Sequence, residues 1–350
     1  MKLELSRNDI SILKGIGILC IILHNFLHLL PFTVHECEYT FNVNKGYQLW
    51  SRIVNMNSDL IADFLSYFGH YGVPVFLFAS GYGLVMKHEH LKKGEPTFHK
   101  FMSHNISKLF KLMIIAYLAF LLIDRWNQSI ESIKVVAQLT FTGNLFFSPI
   151  AYPGPYWYFS LTLQLYILYY LLLRHTGRKT MLLLVAVSCA LQMYFIHDYQ
   201  VLNYIRYNFI GSVLPFCMGI WAARYGLPLK RWFILPIMAI IAVLVWGFLP
   251  MVGRYGSMDI IRVSGYSWVF IPFFVTYGFI CIQKILPRLV SAPFMWIGGI
   301  SAAVFATHPI VRSVILPITN SSNYKVNVLI YLALCLIIGY LYNLIVKRLK

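Results

Sequence analysis

The chain has 350 residues, of which 59% are hydrophobic and 12% are charged, and its formal net charge is +17. A soluble domain does not need so much apolar surface, whereas a bundle of membrane helices does. Most Lys and Arg residues lie in short loops between apolar segments, so we interpret the positive charge as a topology signal and exclude nucleic acid as a partner.

Apolar windows of about 20 residues, long enough to cross a bilayer, recur along the whole chain. They lie near residues 10–30, 64–86, 107–124, 155–173, 180–196, 207–224, 232–249, 266–286, 294–315 and 326–346. The sequence therefore predicts an all-α polytopic membrane protein: a bundle of about ten transmembrane helices that form one integral-membrane domain over residues 1–350, without a fused soluble domain. A weaker stretch at 131–148 is interpreted as re-entrant or interfacial, with an eleventh span as the alternative.

The distribution of basic residues predicts the orientation of this bundle. Nineteen of the 29 Lys and Arg residues lie in segments on the same side as the termini, and nine lie on the other side. This bias places the N and C termini in the cytoplasm. We expect a multi-pass protein of the bacterial cytoplasmic (inner) membrane. The six cysteines show no metal-ligand spacing, so no metal is expected.

Four polar side chains interrupt the first apolar window. Asn25 and His28 each lie within about 40° of Lys14 on a helical wheel, and His24 is one turn before His28. Ionisable groups inside a span are costly and are by default a functional-site hypothesis. The alternative is that Asn and His serve as hydrogen-bonding contacts between helices.

Two further groups are candidates. His308 lies about as far along its predicted span as His24 does along the first, so we expect similar depths; the alternative is a packed polar residue beside Pro309. Lys108 and Lys111 share a helix face at the start of the third span. They either extend to anionic lipid headgroups or neutralise phosphates of a nucleotide-like ligand.

Six sequence blocks in a fixed order resemble the membrane-bound acyltransferase-3 family. They are DISILKGIGILCIILHN, GHYGVPVFLFASGYGL, FHKFMSHNISKLFKLM, YWYFSLTLQLYILYYLL, LPFCMGIWAARYG and IGGISAAVFATHPI. The resemblance implies ten spans and transfer of an acyl group, usually acetyl, from cytoplasmic acyl-CoA to a hydroxyl of a glycan or lipid-linked sugar at the outer face. The expected partners are thus acetyl-CoA as donor, this acceptor and membrane lipids.

The first block carries the family's basic residue and histidine with two departures. Lys14 stands where members usually have Arg, and the usual spacing falls on Asn25, one residue beyond His24. The resemblance therefore implies that His24, or His28 one turn later, supplies the catalytic imidazole.

The fourth block matches the family pattern at Trp157, Gln164 and Tyr166. Thr162 occupies the position where the family has Glu. We take the three matching residues, together with Asn25 and Ser80, as candidates for orienting substrate, and we expect another group to replace the missing carboxylate.

These observations combine into a hypothesis of acyl transfer. A sugar hydroxyl is a poor nucleophile, so a general base must remove its proton, and neutral imidazole is suited to this task. His24 is assigned as the base, with His28 orienting or replacing it and His308 as a third catalytic candidate. Lys14, Lys108 and Lys111 are assigned to the CoA moiety. The alternatives are a transporter or flippase that exports a polar glycan or solute, and a structural membrane scaffold.

Overall fold

The computed structural model describes residues 2–36, 39–89, 96–124, 131–148, 150–228 and 258–349, and this part of the chain is almost entirely helical. The helices are α1 (Arg7–Leu27), α2 (Val43–Val54), α3 (Leu60–Phe68), α4 (Gly72–His88), α5 (Phe98–Asp124), α6 (Ser132–Leu139), α7 (Trp157–Leu171), α8 (Arg178–Tyr194), α9 (Tyr199–Tyr207), α10 (Phe209–Tyr225), α11 (Met258–Ile285), α12 (Arg288–Ile315) and α13 (Tyr324–Arg348). A short antiparallel pair joins β1 (Lys2–Leu3) to β2 (Leu227–Pro228), with Leu3 opposite Leu227.

Within the described residues, six helical segments are long and apolar enough to cross a membrane. They are Arg7–Leu27, Leu60–His88, Phe98–Asp124, Gly265–Ile285, Arg288–Ile318 and Tyr324–Arg348. These segments confirm six of the ten predicted windows. Helices α7, α8 and α10 have 15, 17 and 17 residues, which at 1.5 Å per residue is shorter than a bilayer core of about 30 Å. The window at 232–249 lies outside the described residues. The number ten and the side of the termini therefore stay predictions.

The stretch at 131–148 contains only one α-helix, the eight-residue α6. Such a helix is about 12 Å long and cannot cross a bilayer. This agrees with an interfacial or re-entrant segment rather than an eleventh span.

The described helices pack as two compact units. Unit 1 comprises Met1–His90, Arg178–Arg206 and Ile210–Gly298, and unit 2 comprises Leu91–Gly177, Tyr207–Phe209 and Gly299–Lys350. Helix α12 contributes its first part to unit 1 and the remainder to unit 2. The prediction of one integral-membrane domain without a fused soluble domain stays a prediction.

A capping box fixes the start of α1 in unit 1. The Asp9 backbone N–H donates to the Ser6 hydroxyl at 3.2 Å, and the Ser6 N–H donates to the Asp9 carboxylate at 2.8 Å. Lys284 on α11 donates to the same carboxylate at 2.7 Å. The start of α1 is therefore held both locally and by α11.

Glycines let α1 approach the segment formed by α3, a short turn at Gly69–Tyr71 and α4. A Cβ at Gly72 would overlap the carbonyl of Gly17, and one at Gly69 would lie 2.7 Å from the carbonyl oxygen of Cys20. Without side chains at these positions the two backbones come into contact, as small residues allow in membrane proteins. This close packing brings the end of α3 beside the last turn of α1.

Tyrosine hydroxyls join the helices of unit 2. Tyr342 on α13 donates to the Leu112 carbonyl of α5 at 2.8 Å, and Tyr156 donates to the Ala306 carbonyl of α12 at 2.5 Å. These bonds satisfy buried hydroxyls that would otherwise be costly in an apolar environment.

Candidate active site

His24 lies in the last turn of α1 and contacts the end of α3. Its Nδ1 is 2.7 Å from the backbone carbonyl oxygen of Ser66. A carbonyl oxygen only accepts hydrogen bonds, so Nδ1 carries the hydrogen and donates it. The lone pair of the neutral ring is therefore on Nε2, which is the atom that can take a proton from a substrate.

His28 and His35 continue from His24 toward the loop that follows α1. The His28 ring centroid is 4.7 Å from that of His24 and 4.6 Å from that of His35. All three side chains are partly exposed. The cluster thus has an accessible end at these rings.

His70 and Glu36 form the buried end of the same cluster. The His70 ring packs edge-on against His24, with centroids 5.2 Å apart and an interplanar angle of 67°. Nε2 of His70 is 3.2 Å from Oε2 of Glu36, and both side chains are 2% exposed. Because Glu36 follows His35 directly in sequence, four histidines and one carboxyl group are gathered around the end of α1.

Trp268 contacts Glu36, and Arg206 contacts Trp268. Nε1 of Trp268, on α11, donates to Oε1 of Glu36 at 2.6 Å. The guanidinium carbon of Arg206 lies 4.1 Å from the centre of the Trp268 ring, a cation–π geometry. Arg206 also donates to Oε1 of Gln192 on α8 at 2.9 Å. Helices α8, α9 and α11 therefore all contribute to the position of one carboxylate.

Electrostatic effects of opposite sign act on the imidazoles of the cluster. The C-terminal end of a helix carries a partial negative charge, and His24 and His28 lie in the last turn and at the cap of α1. Outside the spans, burial and the nearby Lys45 ammonium lower the pKa of His35, which the Thr33 carbonyl partly opposes. His35 is thus neutral near pH 7.

The other candidates of unit 1 are Lys14, Asn25 and Ser80. Lys14 is half-buried and ten residues before His24, which is about 15 Å along α1. The amide of Asn25 donates to the Ile21 carbonyl of its own helix at 2.9 Å. Ser80 is half-buried in the middle of α4. Of the predicted residues, the structure brings His24 and His28 into contact.

Unit 2 holds the remaining basic candidates. His308 on α12 is fully buried, and its Nδ1 is 2.7 Å from the Phe305 carbonyl oxygen. Lys108 is exposed, and the exposed Lys111 donates to the Leu349 carbonyl at 2.9 Å. This bond gives the Lys111 ammonium a partner at the end of α13.

Gln164 on α7 belongs to an amide network within unit 2. Its Nε2 donates to Asn208 at 2.7 Å, and its Oε1 accepts from the Phe209 N–H at 3.0 Å. Asn144 extends the network, because its backbone carbonyl accepts from Asn208 at 2.9 Å and its side chain donates to the Trp157 carbonyl at 3.0 Å. These contacts join the start of α7 to the α9–α10 junction.

The remaining residues of the fourth sequence block lie on α7 as well. Trp157 is buried, with its ring 5.4 Å from that of Tyr207. Tyr166 is half-buried and faces Phe101 at 6.3 Å. Thr162, at the position of the family's Glu, donates to the Tyr158 carbonyl of its own helix.

No sequence pattern assigned a role to Glu36, His70, Trp268 or Arg206. The signal for His70 was its position in the block GHYGVPVF, directly before an apolar helix. Among the described residues, no group of three or more His, Cys, Asp or Glu side chains has an arrangement suited to a metal ion.

The fold and the cluster define an integral, multi-pass membrane protein with imidazoles gathered at the end of its first span. A family model described as an acyltransferase domain matches residues 7–344. The chain therefore belongs to the acyltransferase-3 family, and it is a membrane acyltransferase. Comparison with curated proteins and with solved structures gives no match.

Proposed function

We propose that this protein is an O-acyltransferase that moves an acyl group, acetyl in the simplest case, from cytoplasmic acyl-CoA to a hydroxyl of a cell-surface or lipid-linked glycan. The observation that carries this proposal is the hydrogen bond from His24 Nδ1 to the Ser66 carbonyl. It orients the ring so that Nε2 is the basic atom, as general-base catalysis of hydroxyl attack requires.

The proposed reaction balances without a further co-reactant. Nε2 of His24 takes the hydroxyl proton while the acceptor oxygen bonds to the thioester carbonyl carbon. The C–S bond then breaks, and the resulting imidazolium returns its proton to the CoA thiolate. His28 is proposed to orient His24, because it lies one turn along α1 with its ring 4.7 Å away.

Lys14 is proposed to bind the anionic part of the donor. It lies on the same helix as His24 and nearer the N terminus, which the loop charges predict to be cytoplasmic. An ammonium attracts phosphate as a point charge. In this arrangement one helix carries a donor contact toward the cytoplasm and a base toward the opposite face.

The test is transfer of radiolabel from acetyl-CoA to membrane polysaccharide by purified protein in liposomes, detected as alkali-labile acetate. His24→Ala is expected to lower kcat by about 10²–10⁴-fold, the usual range for a general base. His197→Ala, an exposed histidine of the same unit, is the matched control and keeps full activity.

Full activity in both His24→Ala and His28→Ala would overturn the assignment of the base. Movement of polysaccharide into the liposomes without acyl transfer would instead support the transporter.

A further inference from the structure

Each carboxylate oxygen of Glu36 lies close to a nitrogen atom of a buried ring. Oε1 accepts from the Trp268 indole at 2.6 Å, and Oε2 lies 3.2 Å from Nε2 of His70. A carboxylate is an acceptor only, so the favourable partner at Oε2 is a proton on Nε2 of His70. This contact orients the His70 ring in the way that a second partner orients a catalytic imidazole.

The packed His70 ring restricts the orientation of the His24 ring. The two rings meet edge-on at 5.2 Å, and His24 is also tied to Ser66 at its Nδ1. A ring held by one hydrogen bond still rotates about that bond, whereas a second packed ring restricts this rotation. The carboxylate of Glu36 also places a negative charge one ring away from His24, and the burial of Glu36 and His70 strengthens interactions between charges there.

The geometry points to Glu36 and His70 as positioning residues for His24. They hold its Nε2 toward the acceptor and stabilise the positive charge that the ring gains when it takes the hydroxyl proton. This inference rests on the proposed function of His24 as the base. It also identifies a carboxylate in the cluster although Thr162 stands where the family has Glu.

Other charged and titratable groups also face this pair, and the test must separate Glu36 from them. The groups around His70 and Glu36 are His24 and His28 from α1, Arg206 from α9, and Tyr67 and Tyr71 from the segment of His70. Among these groups and the pair itself, only Glu36 is a carboxyl group. Its substitution therefore removes a negative charge from the surroundings of His24, and substitution of the other groups does not.

Glu36→Gln is the decisive variant, since it removes the charge and keeps the size. We expect kcat to fall by about 10–100-fold with an unchanged KM for acetyl-CoA, because the donor contact at Lys14 is intact. The acid limb of the pH–rate profile moves to lower pH, because the imidazolium of His24 loses a stabilising charge. Glu36→Asp keeps the charge and recovers part of kcat.

Asp63→Asn is the matched control. Asp63 is a second fully buried carboxylate of unit 1, and it accepts from the Val34 N–H of the same loop at 2.8 Å. If Glu36 only holds the loop, Glu36→Gln and Asp63→Asn lower activity alike and leave the pH profile in place. That result, or a wild-type profile in Glu36→Gln, would overturn the inference.

A second readout does not depend on turnover. Diethyl pyrocarbonate modifies neutral imidazole, and tandem mass spectrometry of the peptide distinguishes His24 from His28. In Glu36→Gln the pH dependence of His24 modification is expected to move to lower pH, and in Asp63→Asn it stays in place. If this shift is present but the wild type shows no acyl transfer, the proposed function alone is contradicted. If the shift is absent, the positioning role is contradicted.

Discussion

Gly69 lies directly against His24. A Cβ built at Gly69 would fall 2.7 Å from Cβ of His24 and 2.7 Å from the carbonyl oxygen of Cys20. Real side chains do not approach so closely, so any larger residue at this position must move α1 or the segment that carries Ser66. The hydrogen bond that orients His24 spans the same contact.

Gly69→Ala is therefore expected to lower acyl transfer by about 10–100-fold, because a displacement of about 1 Å at a catalytic group has an effect of this size. The measurement is kcat of the folded, purified variant. Gly83→Ala on α4 is the control, since a Cβ there meets no atom within 4 Å. Equal activities of the two variants would contradict the close contact.

The environment of His35 is expected to make the stability of the folded protein depend on pH. Its pKa is lowered in the folded protein by burial and by Lys45, so between this lowered value and 6.5 the unfolded chain binds more protons than the folded one. Stability then falls as the pH is lowered from about 6.5 through the folded pKa.

His35→Gln removes this part of the dependence. The measurement is the thermal unfolding midpoint in detergent between pH 7.5 and pH 5 for wild type and variant. Steeper loss of stability in the variant on acidification would contradict the direction of the shift. His197→Gln, at an exposed position, controls for the loss of any histidine.

The polar stripe of α1 was predictable because helical spacing relates residues within one element. His24 and His28 are four residues apart, and the structure confirms that their rings are neighbours. Glu36, His70 and Trp268 were not predictable in the same way. Their contact depends on how α1, α3 and α11 pack, and residues 36 and 268 are 232 positions apart. No periodicity in the sequence relates such positions.

The apolar windows predicted membrane helices well where the helix is long. α5 and α13 extend over their windows and beyond them. Hydropathy gave no measure of helix length at α7, where the helix has 15 residues and begins after the turn at Gly154–Tyr156. Pro155 and the preceding loop set that boundary, and a hydropathy average does not resolve it.

Substitution of Lys14 is expected to weaken binding of the acyl donor without slowing the chemical step. Lys14→Met removes the ammonium and keeps an unbranched apolar stem, so we expect the KM for acetyl-CoA to rise about tenfold with little change in kcat. Lys14→Arg keeps the charge and matches the residue usual in the family, and it is expected to restore KM. A loss of kcat alone in Lys14→Met would instead place this group at the reacting atoms.

Gln164 distinguishes an orienting role from a structural one. Gln164→Leu removes the hydrogen bond to the side-chain oxygen of Asn208 and the one from the Phe209 N–H, and each such loss costs about 0.5–1.5 kcal/mol. We expect a lower thermal unfolding midpoint and an unchanged kcat per folded molecule. Ser103→Ala, on the exposed face of α5 in the same unit, leaves both quantities unchanged. A reduced kcat at wild-type stability would show that Gln164 orients substrate, and the amide network would then not be its main role.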